Sequence, residues 1–586
     1  MRTDSLTRIR RRTPRIPLER YPAHLHPVVR RLYASRGLAP EAAELRGLDG
    51  LPPPDGLPGM EAALDLLEQA LVEARRILVV GDFDVDGATS TVLVLEALSA
   101  FGHRALDHLV PNRFDFGYGL SPELVEVAAR RDPWLILTVD SGIACHDGVR
   151  AAREHGIRVL VTDHHLPGET LPPADAIVNP KLPGSRFPGR DLAGVGVAFY
   201  LMLALRRRLR SRGWFERTGI AEPNLAELLD LVALGTVADV VPLDPVNRIL
   251  VRQGLQRIRA GRCRPGIRAL LAVANRDPRR VQARDLGFAV GPRLNAAGRL
   301  EGMDAGIACL CADSEDRARE LAARLDALNR QRREIEAAMC REAETLLDLP
   351  GLGDESLPWG LVLFEPGWHA GVIGILAARI KDRWHRPVIA LADAGDGMLK
   401  GSARSIPGFH VRDAIENIEA RHPGLVPRFG GHAMAAGLTL ASADLDVFRA
   451  AFDEEVRRCL APSQLEGVIE TDGELAPECC TIELVESLDA AGPWGQGFPE
   501  PCFDDLFRVR SARIVGERHL KMQVQHNQGG SRLDAIAFFQ GEALELARNG
   551  MVRLVYRPDL NEYLGRRSLQ LIVERVLPEE APVIEA

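Results

Sequence analysis

The sequence predicts an α/β protein with a mostly parallel sheet, a long connecting helix, a second and smaller α/β domain, and a C-terminal β-barrel resembling an OB-fold. Three observations support this prediction. Apolar runs alternate with helix-like stretches between about residues 76 and 240. A long, charged, amphipathic stretch begins at Ser314. After about residue 463 the apolar period changes to two, which is typical of short strands.

The first domain is predicted from three apolar runs, each followed at once by acidic or histidine residues. They are "RILVV", "WLILTV" and "IRVLVT". Because apolar residues do not alternate with polar ones in these runs, we expect strands buried on both faces of a parallel sheet. Open parallel sheets bind ligands beyond the carboxyl ends of their strands, which is where these polar residues fall.

The remaining elements follow the long helix, which "PGLGDESLP" ends. We interpret this helix as a spacer between domains, with a coiled-coil dimer as the alternative. "GLVLFE", Ala370 to Arg383 and "PVIALA" then predict a strand, a helix and a strand. "HLKMQVQ" and "MVRLVYRPDLNEYLGRRSLQLIVERV" predict the strands of a small barrel such as an OB-fold.

A chain of 586 residues is too long for one core, so several domains are expected. We predict five segments: a loose basic arm over 1–50, the first α/β domain over 51–265, a linker with the long helix over 266–350, the second α/β domain over 351–462, and the OB-fold-like domain over 463–586.

Composition indicates a cytoplasmic protein with reduced thiols and no membrane span. No apolar stretch reaches the roughly 18 residues of a membrane helix. The nine cysteines form no CxxC pair, which argues against zinc and disulfides. A net charge of −8 argues against a protein that coats nucleic acid with its whole surface. The arginine clusters "RRRLRSRGW" and "RQGLQRIRAGRCRPGIR" are interpreted as solvated helix faces.

Acidic and histidine residues follow four predicted elements of the first domain. They are Asp82, Asp84 and Asp86 of "GDFDVDG", Asp140 of "LTVDSGI", Asp163, His164 and His165 of "VTDHH", and Asp239 of "ALGTVADVVPL". If "GDFDVDG" stays extended, its alternate side chains share one face. Carboxylates crowded at one sheet edge need cations, and carboxylates with one or two histidines suit Mn²⁺ or Mg²⁺. Two such metals are the usual apparatus of phosphoester hydrolysis.

Each motif taken singly also fits a simpler interpretation. "DFDVDG" opens like a calcium loop, but that loop needs Glu at its twelfth position and Leu93 stands there. A single Asp after a strand is usually a cap or turn former, and a histidine pair in a loop is usually exposed. The combination of four motifs favours a metal site.

These motifs, in this order and spacing, resemble the four motifs of the DHH phosphoesterase family. "GSARSIPGFHV" and "FGGHAMAAGLTL" resemble its DHH-associated domain. "PNRFDFGYGL" and "GPRLNAAGRL" narrow the resemblance to the bacterial exonucleases of this family that are specific for single-stranded DNA. The resemblance runs from about Arg76 to the C-terminus and is looser over the barrel.

The resemblance implies roles for particular residues. The implied metal ligands are Asp82, Asp84, Asp86, Asp140, His164 and Asp239, with Asp140 bridging two metals. Asp140, Asp163, His165 and Arg299 are the implied catalytic residues. The implied substrate contacts are Arg113, Tyr118, Arg293, Asn295, Ser402, Arg404, Gly430, Gly431 and His432. Val80 stands where some relatives carry histidine, which leaves open which aspartate binds which metal.

The resemblance also implies an activity: 5′-to-3′ hydrolysis of single-stranded DNA to 5′-mononucleotides by two divalent cations, Mn²⁺ or Mg²⁺, in DNA repair and recombination. A single-stranded-DNA-binding protein and a helicase are candidate partners, and a monomer is expected. The first alternative is a phosphodiesterase of short oligonucleotides or cyclic dinucleotides, for which the C-terminal barrel would be idle. The second is a binding module without metals, against which every acidic and histidine position of the motifs is present.

Overall fold

The computed structural model describes residues 8–44, 47–112, 119–347, 357–516, 518–548, 550–563 and 565–585. It divides into two compact units. The parallel-sheet unit comprises Leu38–Arg330 and Asp489–Glu500, and the barrel unit comprises Met1–Gly37, Gln331–Leu488 and Pro501–Ala586. Arg113 and Tyr118, predicted to contact substrate, lie outside the described residues.

The strands, in chain order, are β1 Arg8–Arg11, β2 Ile77–Val80, β3 Leu106–Leu109, β4 Leu135–Val139, β5 Arg158–Thr162, β6 Ala176–Val178, β7 Leu361–Phe364, β8 Val388–Gly395, β9 Met398–Arg404, β10 Arg428–Gly431, β11 Ala435–Ala441, β12 Val468–Thr471, β13 Phe503–Val515, β14 His519–His526, β15 Arg532–Ala537, β16 Met551–Tyr563, β17 Arg566–Leu577 and β18 Val583–Glu585.

The α-helices, in chain order, are α1 Pro27–Ser35, α2 Met60–Val72, α3 Val85–Ala100, α4 Pro122–Ala129, α5 His146–Glu154, α6 Gly194–Ser211, α7 Trp214–Thr218, α8 Leu229–Ala238, α9 Pro245–Arg259, α10 Pro265–Val273, α11 Ala283–Asp285, α12 Gly291–Leu300, α13 Asp304–Leu310, α14 Glu315–Leu347, α15 Ile373–Trp384, α16 Val411–Arg421, α17 Leu445–Cys459, α18 Ile482–Ala491 and α19 Leu544–Arg548. A π-helix, Leu286–Val290, lies between α11 and α12. Among the described residues, no helix combines the length and the apolarity that a membrane span requires.

The parallel-sheet unit is built on five parallel strands in the order β3-β2-β4-β5-β6. Every residue of β2 and β4 is buried, which agrees with the predicted double-sided burial. Chain order reverses between β2 and β4, so this pair marks the switch point where such sheets bind ligands. The register aligns Val80 with Thr138 and Val139 with Thr162, and the loops that follow therefore start side by side.

The barrel unit contains a mixed sheet in the order β10-β11-β9-β8-β7 and a closed barrel in the order β13-β14-β15-β17-β16. In the barrel only the β15–β17 pair is parallel. The predicted strand–turn–strand near the C-terminus is the β16–β17 pair, and "HLKMQVQ" lies in β14. The predicted α/β fold, long helix and small barrel are all present, and the long helix is α14.

The basic N-terminal stretch is not a loose arm where the structure describes it. Strand β1 lies between β12 and β18 in a three-stranded parallel sheet. Arg11 donates to both oxygens of the buried Asp504, at 3.1 and 2.7 Å. Arg36 donates to both oxygens of Asp472, at 2.9 and 3.0 Å. Basic residues thus pair with buried carboxylates far along the chain, which sequence proximity gave no reason to expect.

The arginine cluster of "RRRLRSRGW" agrees with the prediction of a solvated helix face. Its members pair with acidic residues of the same unit: Arg207 with Asp55, Arg208 with Asp65, Arg210 with Glu222, and Arg212 with Glu68. These ion pairs neutralise the cluster locally, so it does not form an uncompensated basic track.

Candidate metal centre and phosphate-binding surface

The loop after β2 turns directly into helix α3, so "GDFDVDG" does not stay extended, which was the condition for its alternate side chains to share one face. Helix α3 begins at Val85, and Asp84 is its N-cap. Asp84 Oδ1 accepts hydrogen bonds from Asp86 N at 2.9 Å and Gly87 N at 3.1 Å. A side chain that accepts from the free amides of a first turn stabilises the helix end. The three aspartates therefore hold different backbone positions: loop, cap and first turn.

Asp86 is held by a second helix end. Its two carboxylate oxygens accept hydrogen bonds from Gly194 N at 2.6 Å and Val195 N at 2.9 Å, at the start of α6. The side chain is fully buried. Burial, and next the charge of Asp84, raise the pKa of Asp86 to about 7. This carboxyl is fixed in position but costly to ionise unless a cation joins it.

Asp140 follows β4 in a left-handed backbone conformation, with φ of 60°. A Cβ built on Gly194 would lie 2.7 Å from Asp140 Oδ1, so only glycine fits there. Burial, and then the charges of Asp86 and Asp84, raise the pKa of Asp140 well above its ordinary value. The backbone twist and the glycine together bring this carboxylate to the centre of the acidic cluster.

His164 faces three carboxylates through one nitrogen. Its Nε2 lies 3.1 Å from Asp140 Oδ1, 3.4 Å from Asp239 Oδ2 and 4.0 Å from Asp86 Oδ2. Among the described residues, neither His164 Nε2 nor Asp239 Oδ2 has a hydrogen-bond partner, although both atoms are buried. Burial lowers the pKa of His164 to about 3. The imidazole is thus neutral at ordinary pH, which is the form that binds metals.

Asp163 organises the loop that carries His164. Its Oδ1 accepts from the backbone N of His164 and His165 and lies 2.8 Å from His165 Nδ1, while its Oδ2 accepts from Ile143 N. Burial acts to raise the pKa of Asp163, but the hydrogen bonds and charge of His165 outweigh it and lower the pKa. Burial acts to lower the pKa of His165, and Asp163 raises it overall. Asp163 thus fixes the backbone of both histidines and the ring of His165.

The acidic and histidine residues form overlapping groups whose ligand atoms all lie within 4.8 Å of one another. The groups are Asp86–His164–Asp239, Asp82–Asp84–Asp140 and Asp140–His164–His165. We call the six residues Asp82, Asp84, Asp86, Asp140, His164 and Asp239 the metal edge. The first two groups together contain all six, and Asp140 of the second group lies 3.1 Å from His164 of the first. Oxygen-rich sites with one imidazole suit Mn²⁺ or Mg²⁺, and the buried, unbonded Asp239 Oδ2 and His164 Nε2 fit that interpretation.

Helix α12 packs directly on the loop of the first motif. A Cβ on Gly298 would lie 2.1 Å from the carbonyl oxygen of Phe83, between Asp82 and Asp84. Asn295 and Arg299 are four residues apart, so they share a face of this helix. Arg293 instead pairs with Asp326 at 2.9 Å and donates to the Ala289 carbonyl at 2.6 Å. The structure therefore places Arg293 in contacts that hold the neighbouring π-helix.

The predicted phosphate contacts of the barrel unit gather on strands β9 and β10 and the turn after β10. Arg404 Nη1 donates to Ser402 Oγ at 3.1 Å. A Cβ on Gly374, in the first turn of α15, would lie 2.9 Å from Ser402 Oγ and 3.0 Å from Arg404 Nη2. A helix N-terminus beside an arginine and a hydroxyl favours anions.

Exposed glycines lie on the strands next to Ser402. Gly430 pairs with Gly437, which pairs with Ser402. We call Gly430, Gly431 and Gly437 the glycine face. All three are exposed, and His432 beside them is exposed as well. Without side chains, the backbone of this face can approach a ligand closely.

Several residues that shape the metal edge were missed by the sequence interpretation. Gly194 and Gly235 admit the carboxylates: a Cβ on Gly235 would lie 2.8 Å from Asp86 Oδ1. The buried Asn179 donates to the His165 carbonyl at 2.9 Å, and it accepts from Lys181 N at 2.8 Å. The sequence shows these glycines and the "NPK" after β6, but it does not show which residues they approach. Those residues, Asp86, Asp140 and His165, lie in other segments of the chain.

Family models match three parts of the chain and define its class as a protein with a DHH domain, a DHHA1 domain and a RecJ OB domain. The DHH family, N-terminal domain model matches residues 76–236, the DHHA1 domain model matches 359–458, and the RecJ OB domain model matches 471–575. These matches fall on the parallel sheet with every residue of the metal edge except Asp239, on the mixed sheet and on the barrel.

Individual proteins narrow the class. The chain is 56% identical over 559 residues to the single-stranded-DNA-specific exonuclease RecJ of Escherichia coli (strain K12), covering 95% of this chain and 97% of that protein. Crystal structures of RecJ from Thermus thermophilus with Mn²⁺ and with Mg²⁺ are similar, at TM-scores of 0.79 and 0.75 and identities of 31% and 29%. Both alignments cover 99% of this chain, and 80% and 79% of those chains. The chain belongs to the RecJ family.

Proposed function

We propose that this protein is a metal-dependent exonuclease that degrades single-stranded DNA from the 5′ end to 5′-mononucleotides. The observation that carries the proposal is the position of Asp140. It lies at the switch point of a parallel sheet, between the group with Asp82 and Asp84 and the group with His164. Relatives named as single-stranded-DNA-specific exonucleases support the choice of substrate.

We assign the ligands in two sets. Asp86, His164 and Asp239 form one set, Asp82 and Asp84 form the other, and Asp140 bridges them. Two divalent cations, Mn²⁺ or Mg²⁺, would supply an activated water for in-line attack on phosphorus and would offset charge on the leaving oxygen. Asp84 caps α3, and the α6 amides hold Asp86, so the carboxylates are oriented before substrate arrives.

The substrate contacts follow from the two surfaces. Asn295 and Arg299 lie on the helix that packs on the first motif, where they would steady the scissile phosphate. Asp163 keeps His165 in place beside the bridging carboxylate. Ser402 and Arg404, on β9 beside the start of α15, would hold the 5′ phosphate, and Gly430, Gly431 and His432 would contact the following phosphates. We retain Arg113, Tyr118 and Arg293 as expected substrate contacts from the family resemblance.

The cellular setting is also proposed. An enzyme confined to single strands requires unwound DNA, so we expect it to act with a helicase and on strands coated by a single-stranded-DNA-binding protein, in repair and recombination in the cytoplasm. The barrel, whose family model is the RecJ OB domain, would extend the track for the strand. Sedimentation of the purified chain tests the expected monomer.

A digest of a long single strand labelled at either end tests the activity. With Mn²⁺ or Mg²⁺ we expect the 5′ label to be released first as a mononucleotide and the duplex of the same sequence to persist. Release of the 3′ label first contradicts the polarity. Turnover of only di- to pentanucleotides or cyclic dinucleotides favours the phosphodiesterase alternative, and no metal-dependent turnover favours a binding module.

A further inference from the structure

One large apolar side chain beside the metal edge is turned outward. Phe288 is 86% exposed, the highest value among the large apolar side chains that the structure describes. It lies in the π-helix Leu286–Val290, where Leu286, Ala289 and Val290 are buried. The segment is therefore well packed, and only the phenyl ring is left in water. An outward aromatic ring on a packed segment is available to stack on a ligand.

The π-helix packs on the end of the helix that presents Asp239. A Cβ on Gly287 would lie 3.2 Å from Val237 Cγ1, and one on Gly291 would lie 3.6 Å from Ala238 Cβ. These glycines flank Phe288, and Val237 and Ala238 immediately precede Asp239. Arg293 fastens the segment further by donating to the Ala289 carbonyl. The backbone that carries Phe288 is thus packed against the end of α8, immediately before the predicted metal ligand Asp239.

A second exposed apolar residue lies at the same helix end. Val240 is 61% exposed and has φ of 59°, a left-handed conformation that is unfavourable for a β-branched residue. Strained backbone and π-helices both occur preferentially at functional sites. Here both features occur in segments that pack together at the end of α8.

We propose that Phe288 is a base-stacking residue that takes the face of one nucleobase of the single strand next to the metal edge. This inference rests on the proposed function and deepens it. An aromatic ring stacks on any base, so the contact would tolerate every sequence. A base within a duplex has both faces covered by its neighbours. The ring can therefore stack only on a base that has left the duplex. This contact would stabilise bound single strands and not bound duplexes.

The test compares Phe288→Ala, Phe288→Tyr and the wild type on 5′-phosphorylated strands that carry one abasic nucleotide at successive positions. For the wild type we expect slower hydrolysis when one particular position is abasic. Phe288→Ala should raise KM about 5- to 100-fold on the intact strand, as expected for one lost base stack, and should be insensitive to that abasic position. Phe288→Tyr keeps the ring and should behave like the wild type.

Two controls separate stacking from damage to the fold. Phe288→Ala should keep the rise in Tm that Mn²⁺ gives the wild type, because the exposed ring is not one of the proposed metal ligands. Val72→Ala removes another exposed apolar side chain, on α2, and should leave KM unchanged. An active wild type with an unaltered Phe288→Ala overturns this inference alone and favours a protein-contact role for the ring. An inactive wild type overturns the proposed function and this inference together.

Discussion

The metal edge and the glycine face handle charge in opposite ways. In the metal edge, buried carboxylates lie together, and burial and mutual repulsion raise the pKa values of Asp86, Asp140 and Asp239. At the glycine face, side chains are absent, and Arg404 and a helix start supply positive charge beside it. In the metal edge a cation would relieve the repulsion between carboxylates, whereas the glycine face presents bare backbone, an arginine and a helix start to an anion. We therefore expect the first to control the chemical step and the second to control substrate affinity.

The largest expected effect tests the metal edge itself. Asp140→Ala should lower kcat/KM at least about 10³-fold, since losing a shared metal ligand removes several kcal/mol of transition-state stabilisation at about 1.36 kcal/mol per tenfold. In chelator the variant should melt no lower than the wild type, because a buried, repelled carboxylate is gone. Steady-state hydrolysis and thermal melts check both. Asp147→Ala, an exposed aspartate on α5, is the control. Near-normal Mn²⁺-dependent activity in Asp140→Ala would refute the assignment.

A steric change should disturb the same region without changing its charge. Gly194→Ala puts a methyl group 2.7 Å from Asp140 Oδ1. A displacement of about 1 Å in a catalytic group costs about 10²-fold in rate, so we expect a loss in kcat of that order. Gly196→Ala, in the same helical turn, meets the flexible side chain of Leu192 and should stay within about threefold of the wild type. Equal kcat values for the two variants would break the link between α6 and the metal edge.

Removing the positive charge of Arg404, beside the glycine face, should weaken substrate binding and leave the rate of the chemical step unchanged. Arg404→Ala should raise KM about 10- to 100-fold for strands with a 5′ phosphate, because hydrogen bonds to charged groups contribute about 1.5–3 kcal/mol. Strands with a 5′ hydroxyl should lose much less. Arg412→Ala, an exposed arginine of α16 paired with Glu416, is the matched control. An equal loss on both kinds of strand would assign Arg404 another role.

The pH dependence of stability should report how strongly burial and repulsion oppose the ionisation of Asp86. The folded-state pKa of Asp86 is about 7, above the ordinary value of 3.8. The folded state therefore binds more protons, and this group's contribution to stability falls as pH rises from about 4 to 7. In chelator, the Tm of Asp86→Asn minus that of the wild type should increase between pH 5 and pH 8. A constant difference would mean that Asp86 ionises as freely as an exposed aspartate.

The smallest effect concerns an arginine outside both regions. Arg210, half exposed and paired with Glu222, lies in the cluster that resembles a basic track. An exposed ion pair contributes about 0–1 kcal/mol, so Arg210→Ala should change the free energy of unfolding by no more than that. Its KM for single strands should equal the wild-type value. A clear rise in KM would add a third region to the comparison.

Local patterns predicted the elements well because their causes are local. The apolar runs before Asp82, Asp140 and Asp163 became β2, β4 and β5. The long charged helix and the β16–β17 pair also lie where periodicity placed them. The loop "GDFDVDG" does not meet the condition of an extended backbone, because Asp84 turns the chain into α3 at Val85. Its capping potential was visible, but it competed with an extended interpretation of the alternating aspartates.

The prediction of a loose N-terminal arm was wrong for a different reason. Strand β1 is stabilised by β12 and β18, and by carboxylates of Asp472 and Asp504, all more than 400 residues away. No local signal in a basic stretch reports partners at such a distance. For the arginine cluster "RRRLRSRGW" the prediction of a solvated helix face did not depend on knowing the partners, although Asp55, Asp65 and Glu68 also lie far away in the sequence.

By itself, the sequence determined the α/β architecture, the four acidic and histidine motifs, and the charge crowding that calls for cations. Only the tertiary structure decided how the aspartates divide, because Asp84 is committed to a helix cap and Asp86 to the amides of α6. It also decided that Gly194 and Gly235 must be bare and that Phe288 faces water. The physical reason is that side-chain type and spacing are written along the chain, whereas burial and close approach depend on residues that folding brings from elsewhere.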